Sequence, residues 1–456
     1  MIACAVDFNF MNNLAERSRP GRRARPSGQP AVGNYQVAVY PPVTAWEMKQ
    51  APVFEQALLR PARSAPLGLY VHFPFCQKKC DFCYYLSYAG QGPAAIQKYL
   101  EMVVREAAGY SRRPAIKGRP VRSVYFGGGT PSLLTSAQLH FLADGLRGAL
   151  PWEGVEEITF ECAPRSVGPE LLEALREVGV TRLSLGAESF DDRLLEFNGR
   201  IHLRGDILRA YEQMQQARFN WVNLDLMAGM PGEEAGSWRE TVAEAIALSP
   251  ESVTVYQTEI PRNTQTYRNV EAGQSAELLP EWDSKRCRVC YAFNELEHAG
   301  YAMVNAYMAV KEPAGHRFVH QEHLWRGGDL LGLGVASIGY VGGFHYQNKV
   351  TLDSYMASVA DGRQPLKRAF KLGQRSKIAR EFILQMKTGV VATGDFARKF
   401  GVDIIRLFER PLQRMAEEGL LVFDRDQVRL TRAGLYRVDL LLPEFYEKPF
   451  RELRAA

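Results

Sequence analysis

From Leu67 onward short β-branched and aromatic runs alternate with longer amphipathic stretches. The runs Leu67 to Phe73, Arg122 to Phe126, Glu157 to Glu161, Arg182 to Gly186, Trp221 to Met227 and Ser252 to Thr258 predict six strands. Helical periodicity near 94–110, 135–149, 168–178, 204–217 and 236–248 predicts helices long enough to carry the chain back, so that each next strand lies parallel to the last. The pattern predicts an α/β fold, an incomplete (β/α)6 TIM-like barrel.

A further helix is expected over about 282–299, then the apolar segment Tyr301 to Val310, then a glycine-rich stretch, Gly327 to Gly343, that reads as a loop under a site. From about Ser376 the pattern turns to helices only, Ile378 to Met386, Thr393 to Phe400 and Ile404 to Glu418, followed by a hairpin-like Leu421 to Leu430. This predicts a small, mostly helical, winged-helix-like C-terminal domain. Three segments are expected: an N-terminal extension over 1–60, partly disordered; a barrel carrying the site over 61–350; and a C-terminal domain covering the site over 351–456.

With 456 residues, 46% of them hydrophobic, the chain can bury a large core. No apolar run approaches the roughly 20 residues of a membrane span, and no secretory signal pattern opens the chain, so a cytoplasmic protein without membrane contact is expected. The net charge is +5, but the first thirty residues, with Arg17, Arg19, Arg22, Arg23 and Arg25 against Asp7 and Glu16, hold +3 of it. The rest is too balanced to imply a nucleic-acid partner. Residues 16–34, rich in Arg, Pro and Gly, are expected to form a mobile tail. Beyond Lys367, Arg368, Lys371, Arg375, Lys377 and Arg380, acidic residues soon intersperse, which again speaks against nucleic acid.

Of seven cysteines, three stand in C-x3-C-x2-C spacing directly after the first strand: Cys76, Cys80 and Cys83 in YVHFPFCQKKCDFCYY. A zinc knot would favour paired C-x2-C units. Cys287 and Cys290 do form one such unit, but inside a predicted helix, where a buried or incidental pair is the plainer reading. Three thiolates suit a 4Fe-4S cluster with one iron left for a small chelating ligand. The amino and carboxylate groups of S-adenosylmethionine (SAM) fit that vacancy. One electron from the cluster into the sulfonium releases a 5′-deoxyadenosyl radical, while the protein positions and shields it.

In βα barrels chemistry gathers where strands end at their C-termini. Here the first strand ends in the cysteine loop, the second in Gly127, Gly128, Gly129, Thr130 and Pro131, and the next four reach Glu161, Glu188, Asp225 and Glu259. The glycines let backbone N–H and C=O groups approach a cofactor's methionyl end, or they form only a tight turn. The carboxylates suit ribose hydroxyls and a cationic sulfonium, or they pair with Arg165, Arg182 or Arg200.

Together with ITFECAPRSV, RLSLGAESFDDRLLEFNGRIH, NLDLMAGMPG, SVTVYQTEIPRNT, DLLGLGVASIGYVGG and RLTRAGLYRVDLLL, these motifs over about 66–446 resemble the oxygen-independent coproporphyrinogen III oxidase family. That family of radical SAM proteins includes heme-chaperone and two-cofactor methyltransferase or cyclopropanase branches. The resemblance implies that Tyr70 packs near the sulfonium, that Gly128 and Gly129 face the methionyl group with Thr130 beside them, and that Glu161, Arg200 and Asp225 hold cofactor. It also implies a second SAM near Glu188, Met227 and Glu259, and an electron donor such as flavodoxin or ferredoxin. A monomer acting on a small-molecule substrate is expected.

Three departures bear on function. Tyr85 stands where the oxidases carry a further cysteine, beside Tyr84; Glu188 replaces a usual Gln; and Glu259 replaces a small or neutral residue. They favour methyl or methylene transfer to an sp2 carbon, with Glu259, Glu188 and Tyr85 as catalytic candidates and the carboxylates as bases. Porphyrinogen decarboxylation and heme carriage are the alternatives. For heme carriage, HQEHLW before RGGDLLGLG half matches the chaperone branch: His320 and Trp325 agree, Gln321 and Leu324 do not. A surface histidine pair in a loop is the plainer reading of His320 and His323.

Overall fold

Each predicted βα unit is present in a computed structural model of the protein, which describes residues 39–61, 65–274, 278–451 and 453. The Arg-rich tail over 16–34 and Cys4 lie outside the described residues. In order, the barrel runs β1 (Leu67–Phe73), α1 (Pro93–Ser111), β2 (Val121–Gly128), α2 (Ser136–Ala149), β3 (Glu157–Cys162), α3 (Pro169–Glu177), β4 (Arg182–Glu188), α4 (Arg204–Gln216), β5 (Trp221–Ala228), α5 (Ala235–Leu248) and β6 (Ser252–Gln257). Local signals set the helix starts. Pro93 and Pro169 open α1 and α3, where a missing N–H is harmless, and Thr135 exchanges capping hydrogen bonds with Gln138 at the start of α2.

The chain continues through α6 (Trp282–His298), β7 (Ala302–Met303), β8 (Met308–Val310), α7 (Val319–Trp325), β9 (Asp329–Leu333), β10 (Ile338–Val341), β11 (Phe344–Asn348), α8 (Leu352–Ala360) and β12 (Leu366–Lys371). Among the described residues one sheet runs β12-β11-β10-β9-β1-β2-β3-β4-β5-β6-β8-β7. β1 to β6 are mutually parallel, and β9 lies parallel to β1 on its outer side.

The stretch Gly327 to Gly343, expected as a loop, therefore contributes two strands. Leu330, Leu331 and Leu333 are buried, and Gly332 is needed because a Cβ there would meet the Ile338 carbonyl at 2.4 Å. Tyr301 to Val310 likewise forms the antiparallel strands β7 and β8 beyond β6. Residues 39–61 pack on the antiparallel end of the sheet: Glu47 and Ala369 exchange backbone hydrogen bonds of 3.0 and 3.1 Å, and Phe54 stacks on Tyr346 at 4.7 Å.

The C-terminal module comprises α9 (Gln374–Met386), β13 (Val390–Ala392), α10 (Thr393–Phe400), α11 (Glu409–Glu417), β14 (Leu421–Phe423) and β15 (Gln427–Leu430). It is not helical throughout, because β13 joins the hairpin in a three-stranded sheet. The helix expected over Ile404 to Glu418 breaks at Phe408. Pro411 follows, and it has no N–H for the Leu407 carbonyl. The module's apolar core includes Phe382, Phe396 and Leu412, and it extends to Tyr40, Ala306 and Trp325 of the preceding chain. Ala306 N donates to the Lys387 carbonyl at 2.9 Å, and Tyr307 Oη donates to Asp439 at 2.9 Å, which fastens the module beside β8.

Candidate cluster and cofactor site

The cysteine loop is pinched where it leaves β1. Tyr88 N donates to Pro74 O at 2.7 Å and Gly90 N to Cys76 O at 3.3 Å, so residues 77–87 close as one loop. Other strand ends hold it: Asp81 N donates to Asn198 O at 3.2 Å, and Thr266 N donates to Asp81 O at 3.0 Å. Phe82 packs with Leu194 and Met230, and Cys80 and Met227 lie against that cluster.

Cys76, Cys80 and Cys83 are free and half-buried, and together with Gly128, Gly129 and Arg200 they ring one cavity of about 600 Å³. Among the described residues no three His, Cys, Asp or Glu side chains converge as ligands of a single metal ion. A 4Fe-4S cluster makes a different demand, because each cysteine anchors its own iron at a separate corner. Three thiols around one cavity fit that demand. Burial raises the Cys76 thiol and pushes Cys83 up to about 11, so metal binding has to displace their protons. Arg200 Nη1 donates to Cys80 Sγ at 3.3 Å and Nη2 to Gly186 O at 2.9 Å, with Glu188 Oε1 3.3 Å away. A guanidinium beside the thiols offsets the negative charge a thiolate cluster carries.

The glycine turn is tight. Gly128 has φ +116°, and a Cβ there would lie 2.5 Å from the His72 ring. Its N–H donates to Glu161 at 3.0 Å, Gly129 N to Phe73 O at 2.6 Å and Thr130 N to Phe75 O at 2.8 Å. The expectation that these N–H groups meet a cofactor is thus corrected: the protein itself uses them, and carbonyl oxygens are what the turn has left to offer an ammonium.

The acidic residues sit differently from one another. Glu161 accepts from Tyr125 Oη at 2.7 Å, and burial raises its carboxyl, opposed by the Tyr125 and Gly128 hydrogen bonds. Asp225 accepts from Ser184 Oγ at 2.7 Å and Asn223 Nδ2 at 2.9 Å, yet burial and then the charge of Glu188 push it up to about 8. Glu188 follows a bulge in β4 at φ +66° and is paired with an expected arginine, Arg200. Arg182 instead pairs with Glu157 at 3.3 Å, and Arg165 donates to Ile201 O at 3.0 Å.

Glu259 is 9% exposed and lies near Tyr84 and Tyr85, whose rings stack at 4.6 Å. Tyr85 keeps 47% of its surface open, while enclosure by the surrounding chain, with Glu161, Cys83 and Glu259 nearby, pushes its phenol up to about 12. Tyr70 stands on the inner face of β1 with Oη 3.0 Å from His72 Nδ1 and its ring stacked on Tyr125 at 6.0 Å.

Below the strand ends lies a chamber of about 860 Å³ that strand-end reasoning missed. Asn223 organises its wall, donating to Ser184 Oγ at 3.0 Å and accepting from Ser252 and Thr254 Oγ atoms at 2.9 Å each. A signal existed: polar residues recur with period two, as in Thr159 and Glu161, Arg182 and Ser184, Asn223 and Asp225, and Ser252 and Thr254. Central parallel strands are ordinarily apolar on both faces, so such alternation marks a polar lumen.

His320 and His323 are not a surface pair. Both are buried on α7 beneath the barrel, with His320 Nδ1 3.2 Å from Ser123 Oγ and His323 Nε2 2.8 Å from Asp329 O and 3.1 Å from Gly68 N. Cys287 and Cys290 lie half-buried on α6, as the helical reading expected. No helix among the described residues is long and apolar enough to cross a membrane.

The partial barrel and three-cysteine loop define a radical SAM protein, and the Radical SAM superfamily profile matches residues 70–245. A HemN C-terminal domain profile matches residues 375–437. The heme chaperone HemW of Escherichia coli K12 is 32% identical over 60% of this chain and 70% of its own length. The oxygen-independent coproporphyrinogen III oxidase of Pseudomonas aeruginosa is 27% identical over 87% and 89%. In fold, the chain matches the solved coproporphyrinogen III oxidase HemN of Escherichia coli with a TM-score of 0.77 at 23% identity, covering 89% of this chain and 96% of that one. The chain belongs to the HemN and HemW family of radical SAM proteins.

Proposed function

We propose that this protein is a radical SAM oxidoreductase of the oxygen-independent coproporphyrinogen oxidase type, removing a hydrogen atom from an organic substrate held in the barrel. What supports this is that Glu161 ties a three-thiol cavity to a separate polar chamber, accepting from Gly128 N of the first and from Tyr125 Oη of the second, so that both lie within one barrel. When bound at Cys76, Cys80 and Cys83, a 4Fe-4S cluster with SAM supplies a 5′-deoxyadenosyl radical by one-electron cleavage of the sulfonium.

The chain's own groups prepare for this. Arg200 spans Cys80, Gly186 and Glu188, coupling the cysteine loop to β4. Glu161 fixes Tyr125 and the glycine turn with its two oxygens and stands ready for cofactor hydroxyls. Asp225 holds a proton near neutral pH and so can donate a hydrogen bond. The C-terminal module, packed on Ala306 of the chain before β8 and on Trp325 of α7, is positioned to help keep water from a carbon radical. For a propionate side chain, transfer of one hydrogen atom to the 5′-deoxyadenosyl radical, then loss of carbon dioxide and of one electron to an external one-electron acceptor, would leave a vinyl group.

Anaerobic reconstitution with iron, sulfide, reductant and SAM tests this. Stoichiometric 5′-deoxyadenosine and vinyl product from coproporphyrinogen III are expected, and substrate-independent 5′-deoxyadenosine without any porphyrinogen product would reject it.

A second reading, methyl or methylene transfer from a second SAM, is favoured by one observation, the largely enclosed carboxylates Glu188 and Glu259 near the site. Either is a candidate base, with Tyr85 of the cluster loop near Glu259. S-adenosylhomocysteine formed alongside 5′-deoxyadenosine would support it. For heme carriage, His320 and His323 are buried on α7 and not displayed at the surface.

A further inference from the structure

One charged pair at the rim is built at a conformational cost. Glu188 holds φ +66°, a left-handed conformation that glycine or asparagine adopts far more cheaply than glutamate does. From there its Oε1 stands 3.3 Å from Arg200 Nη2, and both side chains are largely enclosed. Gly186 makes room for the pair, because a Cβ there would lie 3.1 Å from Glu188 Oε1 and 3.5 Å from Arg200 Nη2. A bulge, a glycine and a strained residue in β4 thus all bring one carboxylate to one guanidinium.

The pair is ionic. Burial raises the Glu188 carboxyl, the Arg200 charge opposes that, and a guanidinium keeps its proton. Arg200 in turn touches the cysteine loop, where its Nη1 donates to Cys80 Sγ at 3.3 Å. Glu188 does not line the three-thiol cavity, so the guanidinium stands as the link between this carboxylate and the thiols. Reduction of a thiolate-held 4Fe-4S cluster adds one negative charge, and charges and hydrogen bonds at the sulfurs set how readily that charge is accepted. Arg200 alone favours it. A carboxylate at the other terminal nitrogen takes back part of that help and leaves the reduced cluster a stronger reductant, which splitting a sulfonium requires.

We propose that Glu188 is a positioning residue for the cluster: acting through Arg200, it lowers the reduction potential of a cluster held on Cys76, Cys80 and Cys83. This rests on the cluster assignment and not on the oxidase reading, since the same radical serves any substrate.

Redox titration of the reconstituted full-length protein, followed by the electron paramagnetic resonance signal of the reduced cluster, tests it. SAM is left out, so that contacts of Glu188 or Arg200 with cofactor cannot move the result. Glu188→Gln is expected to raise the potential by about 59 mV, a tenfold shift of the one-electron equilibrium toward the reduced form. In an Arg200→Gln background the same change is expected to shift that equilibrium less than twofold, because an enclosed carboxyl without its guanidinium takes up a proton. Thermal midpoints confirm folding, and Glu188→Asn, better suited to φ +66°, repeats the test should Glu188→Gln not fold. An unchanged or lowered potential in the folded variant, or an equal rise with and without Arg200, would overturn the inference while leaving the cluster assignment intact. A wild type that takes up no iron and sulfide would overturn both.

Discussion

The cysteine rim and the chamber beneath it are built in opposite ways. At the rim, three cysteines within eight consecutive residues and one glycine turn supply most of the chemistry, and tertiary contacts such as Arg200 with Cys80 only steady it. In the chamber the lining comes from distant segments: Asn223 meets Ser184 and Thr254 on neighbouring strands, and Lys387 arrives from another module. The rim is therefore suited to a cofactor shared by many reactions. The chamber, lined from many segments, is where differences between such reactions are expected to be written.

The sharpest break of this contrast is replacement of Cys76, Cys80 and Cys83 together by Ala. Iron and sulfide incorporation and 5′-deoxyadenosine formation are expected to fall to background. A variant retaining the cluster's visible absorbance would refute the assignment of these thiols.

Next in size is Gly128→Ala. At φ +116°, with the new Cβ 2.5 Å from the His72 ring, it is expected to destabilise the fold by about 2–4 kcal/mol, read from denaturant unfolding. The outlying Gly148, where a Cβ meets nothing within 4 Å, is expected to tolerate Ala without loss.

Asp225 sharpens the comparison through pH. Its folded carboxyl titrates at about 8 against 3.8 for an ordinary aspartate, so the folded protein binds the extra proton and stability falls as pH rises through that window. Asp225→Asn is expected to flatten the fall, losing less thermal midpoint between pH 5 and 8 than wild type does. An equal or steeper fall in the variant would show that Asp225 is ionised in the native state.

The smallest effect belongs to Tyr85→Phe. Its hydroxyl lies 3.5 Å from that of Tyr84, at the limit of a hydrogen bond, so stability is expected to change by less than about 0.5 kcal/mol. Any large change in turnover would then belong to the reaction and not to the fold.

Much of the barrel was legible beforehand because β-branched runs and helical periodicity are local. β1 begins and ends at the expected residues, and α1 to α6 fall within a residue or so of expectation at each end. Local reading failed where tertiary contacts decided. Asp329 to Leu333 became a seventh parallel strand because β1 offered it an edge, despite its glycines. His320 and His323 were buried because α7 closes the strand beginnings, its first amides donating to Glu157 at 3.3 and 3.2 Å.

By itself the sequence determined the order of βα units, the three-thiol loop after the first strand, and the acidic strand ends, since each depends on residues close together along the chain. Only the tertiary structure decided that the glycine amides are spent on the protein's own backbone and Glu161, that Glu188 faces Arg200 while burial and the charge of Glu188 raise the Asp225 carboxyl, and that Arg182 and Lys387 line one chamber. The physical reason is that a charge's behaviour depends on its burial and its neighbours, and both come from segments that only folding brings together.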